Sequence, residues 1–161
     1  MEDLSYVEIT LRRQLFESLE FYRSHVPGYE HVMLLTFASQ LGVRDSRRIR
    51  GLHQLTKAEM VAGAVPPDSI GKAGSGFCPA NQYHVPYGCL VPEQVDGLLI
   101  SGRCISVDDY AQQAVRLIPP AMLTGQAAGT AAALASASGI EPRFLDTLIL
   151  QARLASDGVL L

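Results

Sequence analysis

The run from Pro119-Pro120 through AMLTGQAAGTAAALASAS to Gly139 constrains this chain more than any other feature. Proline suits the first turn of a helix, where its missing N–H is not needed. Glycine suits the stop. Between them Gly125, Ala128, Gly129, Ala132 and Ala133 are all small, so the spacing predicts a helix that lets another backbone approach closely. Two surroundings use such a helix: a membrane and a protein interior. Gly125 and Gly129 form the G-x-x-x-G spacing of membrane helix pairs. However, Thr124, Gln126, Thr130, Ser136 and Ser138 interrupt the run, and bulky lipid-facing residues are lacking. A helix buried inside a folded, non-membrane protein is the expectation.

Composition supports that setting. The 161 residues have the size of one ordinary domain, and 48% hydrophobic with 18% charged residues excludes disorder or coiled coil for the whole chain. Thirteen basic and sixteen acidic residues give a net charge of −3, without the basic excess of a nucleic-acid binder. Eleven of the basic residues are Arg, which reflects either genome composition or a site that grips anions bidentately. Cys78, Cys89 and Cys104 are odd in number and form no C-x-x-C pair. Neither a disulfide framework nor a metal site is expected, and a reducing cytoplasm is the simplest location. The opening Met-Glu-Asp leads into no apolar run, so no signal peptide is expected.

Along the chain, Ser5 and Glu8 make a capping-box pattern. Leu4, Val7, Leu11, Leu15, Leu19 and Tyr22 follow at helical spacing up to Pro27-Gly28. His31 to Ala38 is an apolar run of strand length. Arg44, Arg47, Arg48 and Arg50 then crowd a short segment. They read either as an anion site or as a charged, solvated strand edge. Thr56 and Glu59 form a second capping box, for a helix to about Ala62. Residues 63 to 82 read as loop. Gly74-Ser75-Gly76 has no third glycine in register, so it is no dinucleotide fingerprint, and there is no Walker A pattern. His84 lies on a Pro-punctuated extended stretch, and hydrogen-bonded structure is its simplest role. Leu98, Leu99 and Ile100 read as a short buried strand ended by Ser101-Gly102-Arg103. A polar link leads to Arg116 and the small-residue helix, whose unpaired N-terminal N–H groups and dipole suit developing negative charge. Pro142 to Leu154 reads as a last amphipathic helix, closed by Gly158.

Taken in order, PGYEHVMLL, LGVRDSRRIRGLHQLT, YHVPYGCLVP, VDGLLISGRCIS and VRLIPPAMLTGQAAGTAAALA resemble the C-terminal portion of the FAD-dependent oxidoreductases (the FAD_oxidored family), relatives of the glutathione-reductase-like flavoproteins. The resemblance covers residues 5 to 161. It implies a mixed α/β fold: a substrate-domain sheet with helices, plus a remnant of an FAD-binding Rossmann-like layer. Residues 5–95 would be the substrate or cap-like region and 96–161 the flavin-contacting region. The resemblance also implies non-covalent FAD. Gly102, Arg103 and Cys104 would approach the ribityl chain and pyrophosphate. Arg116, Leu117, Ile118, Pro119, Pro120, Ala121 and Met122 would face the pyrimidine edge of the flavin ring. Arg44, Arg47 and Arg48 would lie on the substrate side.

Two departures matter. The family's opening strand and G-x-G-x-x-G turn have no counterpart here, so the N-terminal dinucleotide-binding half is expected to be missing and tight FAD binding by this chain alone is not expected. Where the family tends to carry an Ala-Thr-His-Glu-like sequence, this chain has Val107, Asp108, Asp109 and Tyr110, so no catalytic residue transfers. The expectation is a C-terminal fragment of a flavin oxidoreductase, inactive alone. Its partner would be the missing half or a separate Rossmann-type chain. The alternative is a non-catalytic interaction subunit that forms a homo-oligomer or docks on a partner.

Overall fold

The computed structural model describes residues 2–74, 76 and 81–161. Cys78, and with it most of the Gly74-Ser75-Gly76-Phe-Cys-Pro loop, lies outside the described residues. Two compact units divide the chain, Met1–Arg44 and Asp45–Leu161. Among the described residues the elements are five α-helices and one two-stranded antiparallel sheet, a mixed α and β composition.

In the first unit α1 spans Glu2–His25. It begins before Ser5, which therefore lies inside the helix and does not cap it. Glu2 and Asp3 occupy the first turn instead, where carboxylates favour the positive end of the dipole. Glu8 faces Arg12, which donates to it through Nε at 2.8 Å. The apolar stripe of α1 has the expected spacing, yet no residue of the helix is buried. The run from His31 to Ala38 forms no strand ladder, contrary to the strand expected from its composition. A strand needs a neighbour to take its N–H and C=O groups. No neighbouring strand pairs with this run among the described residues: Val32 bonds to the Tyr29 carbonyl and to Arg23 instead, and Leu35 stays 89% exposed.

The second unit is built around a core that includes Ile70, Val85, Leu90, Ile105, Val115 and Leu150. Helix α2 (Lys57–Ala62) has the expected reciprocal capping box between Thr56 and Glu59. Strands β1 (Ser69–Gly74) and β2 (Gln82–Pro86) pair antiparallel, with an irregularity between Ser69 and Lys72. β1 thus falls where a loop is expected. Asp108 caps α3 (Asp109–Val115), a helix in the stretch read as a polar link. Helix α4 (Ile118–Ser138) ends on Gly139 in the left-handed region, as expected. The closing segment divides at Asp146, which caps α5 (Thr147–Ser156) after a 3-10 turn at Pro142–Phe144.

Two further expectations are corrected. Leu98 to Ile100 is not a ladder strand: Ile100 donates to the Leu90 carbonyl at 2.8 Å, but no strand pairing follows. Helix α4 is buried on one stripe only, through Pro120, Thr124, Ala127, Ala131 and Ala135. That stripe recurs every three or four residues and faces the core. On its other side Cβ atoms built at Gly125 and Gly129 would meet nothing within 4 Å.

Candidate functional site

Gly102–Cys104 forms a single 3-10 turn, entered at Gly102 with φ +72°. That backbone conformation favours glycine. The space where a side chain would project from Gly102 is open. Two side chains hold the turn from within. Gly102 donates its N–H to Thr124 Oγ1 at 2.9 Å. Gln112 of α3 donates through Nε2 to the Arg103 carbonyl at 3.2 Å. Thr124 in turn donates to the carbonyls of Pro120 at 2.9 Å and Ala121 at 3.1 Å. The turn and the first turn of α4 are therefore joined through one hydroxyl. Sequence alone assigns no site role to Gln112, and marks Thr124 only as a polar break in the apolar run. Their signal was modest: polar residues on otherwise apolar, buried helix faces.

The start of α4 is less rich in donors than its sequence suggests. Leu117 makes no side-chain cap, and Pro119 and Pro120 have no N–H. Ala121 already donates to the Leu117 carbonyl at 3.1 Å. Among the first four helical positions, only Ile118 keeps an N–H outside the helix's own ladder. The side chains there form an apolar rim: Ile118 is 77% exposed and Met122 70%. Leu117 and Pro119 are exposed as well, Ala121 is half-buried and Pro120 is buried. Arg116 is half-buried and donates to Gln113 Oε1 at 3.0 Å, while its buried Nε has no hydrogen-bond acceptor among the described residues. Arg103 and Cys104 are exposed.

The arginine segment forms the wall of a separate open groove of about 1040 Å³, lined by Arg47, Arg48, Arg50, Gln54, Asp108 and Asp109 among others. Its charges are largely spent on each other. Arg48 pairs with Asp109 and Asp45, and donates to the Val107 carbonyl at 3.1 Å. Arg50 pairs with Glu93 at 3.2 Å. Asp108 accepts the backbone N–H of Lys57 at 2.7 Å and of Ala111 at 2.8 Å, so it ties the starts of α2 and α3. Arg47 is exposed and makes no ion pair among the described residues. Arg44 is exposed and ends the first unit.

Other chemistry-bearing groups serve structure. His84 Nδ1 lies 3.0 Å from Ser69 Oγ across the β1–β2 pair. Burial, with the nearby Lys72 charge, lowers its pKa below the ordinary histidine value. Burial pushes the Cys89 thiol up to about 12, which leaves it inert as a nucleophile at neutral pH. Among the described residues no group of three or more His, Cys, Asp or Glu side chains is placed to hold a metal ion. No described helix is long and apolar enough to cross a membrane.

The surface left open by these contacts has an unblocked glycine turn, one helix-terminal N–H and an apolar rim. The family model described as FAD dependent oxidoreductase matches residues 1–154. No curated protein and no solved structure matches the chain.

Proposed function

The chain belongs to the FAD dependent oxidoreductase family, and from that membership we propose that it supplies the flavin-ring side of an FAD site whose nucleotide-binding half lies outside these 161 residues. The observation that carries the reading is the junction of the Gly102–Cys104 turn with the start of α4 through Thr124. It brings together two segments separated in sequence, both of which the family resemblance assigns to the cofactor.

The residues present fit one end of FAD. Gly102 leaves room for close backbone approach to the ribityl chain. The Ile118 N–H and the positive end of α4 favour negative charge at the pyrimidine edge of the ring. Ile118, Met122 and Leu117 offer apolar surface that excludes water from a bound ring. Arg116, whose Nε has no acceptor among the described residues, precedes α4 by two positions and would add positive charge at that end. The adenosine diphosphate end has no match in the chain, which carries no G-x-G-x-x-G turn. When bound, FAD supplies hydride or electron transfer through the flavin N5. Arg47, exposed beside Arg48 in the open groove, is the candidate for a substrate anion.

The test uses riboflavin, which carries the ring and ribityl chain without the diphosphate. Added to the isotopically labelled chain, it should shift the amide resonances of Gly102 and Ile118 first. FAD should bind the chain alone little better than riboflavin does. Shifts confined to residues far from the turn and α4, or much tighter binding of FAD, would contradict the reading.

A second reading, a self-associating interaction subunit, draws on the open Gly125 and Gly129 face of α4. Light scattering with and without FAD separates the two. A homodimer indifferent to FAD favours the interaction subunit.

A further inference from the structure

We infer that Thr124 is a positioning residue for the flavin-facing turn: its hydroxyl fixes Gly102–Cys104 against the first turn of α4 before any cofactor arrives. The inference rests on the flavin reading above.

The direction of the bonds follows from their chemistry. A backbone N–H can only donate, so Thr124 Oγ1 must accept from Gly102. The single hydroxyl proton is then free to go to α4, where the carbonyls of Pro120 and Ala121 share it. Thr124 is fully buried, at 0% exposure, so water does not compete for these bonds. An apolar side chain would serve equally well for burial on the stripe that runs through Ala127, Ala131 and Ala135. A hydroxyl there is explained by the turn it holds. The hold matters because Gly102, with no side chain and φ +72°, has the widest conformational freedom in the segment. Gln112 of α3 holds the adjoining Arg103 carbonyl, so Gly102 and Arg103 are fixed by different helices. The turn is thereby preorganised relative to the Ile118 N–H, and a flavin that touches both does not have to order them.

Thr124→Val keeps the shape and removes the hydroxyl, and Thr124→Ser restores it. In the free 161-residue chain, Thr124→Val should speed hydrogen exchange at the Gly102 amide by roughly tenfold or more. Riboflavin affinity should fall by about tenfold, with Thr124→Ser within about twofold of the wild type in both respects. Unchanged Gly102 exchange in Thr124→Val overturns the tie. Faster exchange with unchanged riboflavin affinity overturns the positioning role while leaving the flavin reading intact. A wild-type chain with a protected Gly102 amide and no riboflavin response overturns the flavin reading, and with it the role assigned to Thr124 toward the flavin. If Thr124→Val does not fold, the wild type decides: a Gly102 amide that exchanges as fast as unstructured chain contradicts the inference.

Discussion

Arg47 and Arg48 are neighbours in sequence with opposite surroundings. Arg48 is held by two carboxylates and the Val107 carbonyl, whereas Arg47 is exposed and makes no ion pair among the described residues. Arg48→Ala is expected to cost about 1 kcal/mol of stability in urea unfolding, the exposed carboxylates contributing little of it. Arg47→Ala should change stability by less than about 0.5 kcal/mol, so any effect on anion binding is read without a folding penalty. Equal losses for the two variants would contradict their assignment. Sequence shows four arginines in a row of eligible anion ligands; which are already neutralised depends on Asp109 and Glu93, distant in the chain. Glu59 adds a pH dependence. Partial burial opposes its ionisation, but hydrogen bonds from the Thr56 hydroxyl and N–H, together with His53, outweigh burial and hold the carboxyl below its ordinary 4.5. A lowered carboxyl pKa stabilises the fold above the unfolded value, and that stability is lost as pH falls through the folded value. The acid limb of a stability–pH curve should therefore flatten in Glu59→Gln. An unchanged limb would show that the α2 cap does not titrate as described.

Glycines at the element scale separate open from closed surfaces. On α4, a Cβ at Gly125 or Gly129 meets nothing within 4 Å. Alanine at either position should stabilise the chain by about 0.5–1 kcal/mol, the helix-interior difference between the two residues. At Gly51 a Cβ would lie 2.7 Å from the Gly88 carbonyl oxygen and 2.8 Å from Ser106 Cβ. Gly51→Ala should therefore destabilise by about 1–3 kcal/mol. Thermal unfolding compares the three variants, and destabilisation by Gly129→Ala would mean that the α4 face is covered in the chain alone. The elements that sequence located share one property: their signals are local. The Thr56–Glu59 box and the Pro119 and Gly139 boundaries of α4 are written in a few adjacent residues. β1 escaped notice because Ser-Ile-Gly-Lys-Ala-Gly has little strand propensity and is a strand only by pairing with Gln82–Pro86. α3 was hidden because its cap, Asp108, sits in a stretch whose acidic residues read as solvated link. Conversely, His31 to Ala38 and Leu98 to Ile100 have strand composition but no ladder partner among the described residues. Composition reports what a segment prefers, and pairing needs a second segment.

At the scale of the whole molecule, membership of the FAD dependent oxidoreductase family is the premise, and half of a cofactor site is the proposal that follows from it. A turn at Gly102–Cys104 and a helix start at Ile118 lie in the two segments that the resemblance singles out. The resemblance did not reveal that Thr124 joins them, because that bond depends on a backbone N–H whose orientation is set by the fold. The expectation of several unpaired N–H groups at the start of α4, drawn from helix physics, is overstated, since Pro119 and Pro120 contribute none. On that proposal the flavin ring and ribityl chain would find partners at the turn and helix start, while the sequence carries no G-x-G-x-x-G turn for the adenosine diphosphate end. Gel filtration after equilibration with FAD, followed by visible absorbance of the protein peak, tests this directly. The chain alone is expected to elute without a flavin band. Mixed with a polypeptide that carries the family's strand and G-x-G-x-x-G turn, it should co-elute with about one flavin per pair, the stoichiometry of a single dinucleotide cradle. A near-stoichiometric flavin band with the chain alone, or none with the pair, would contradict the account.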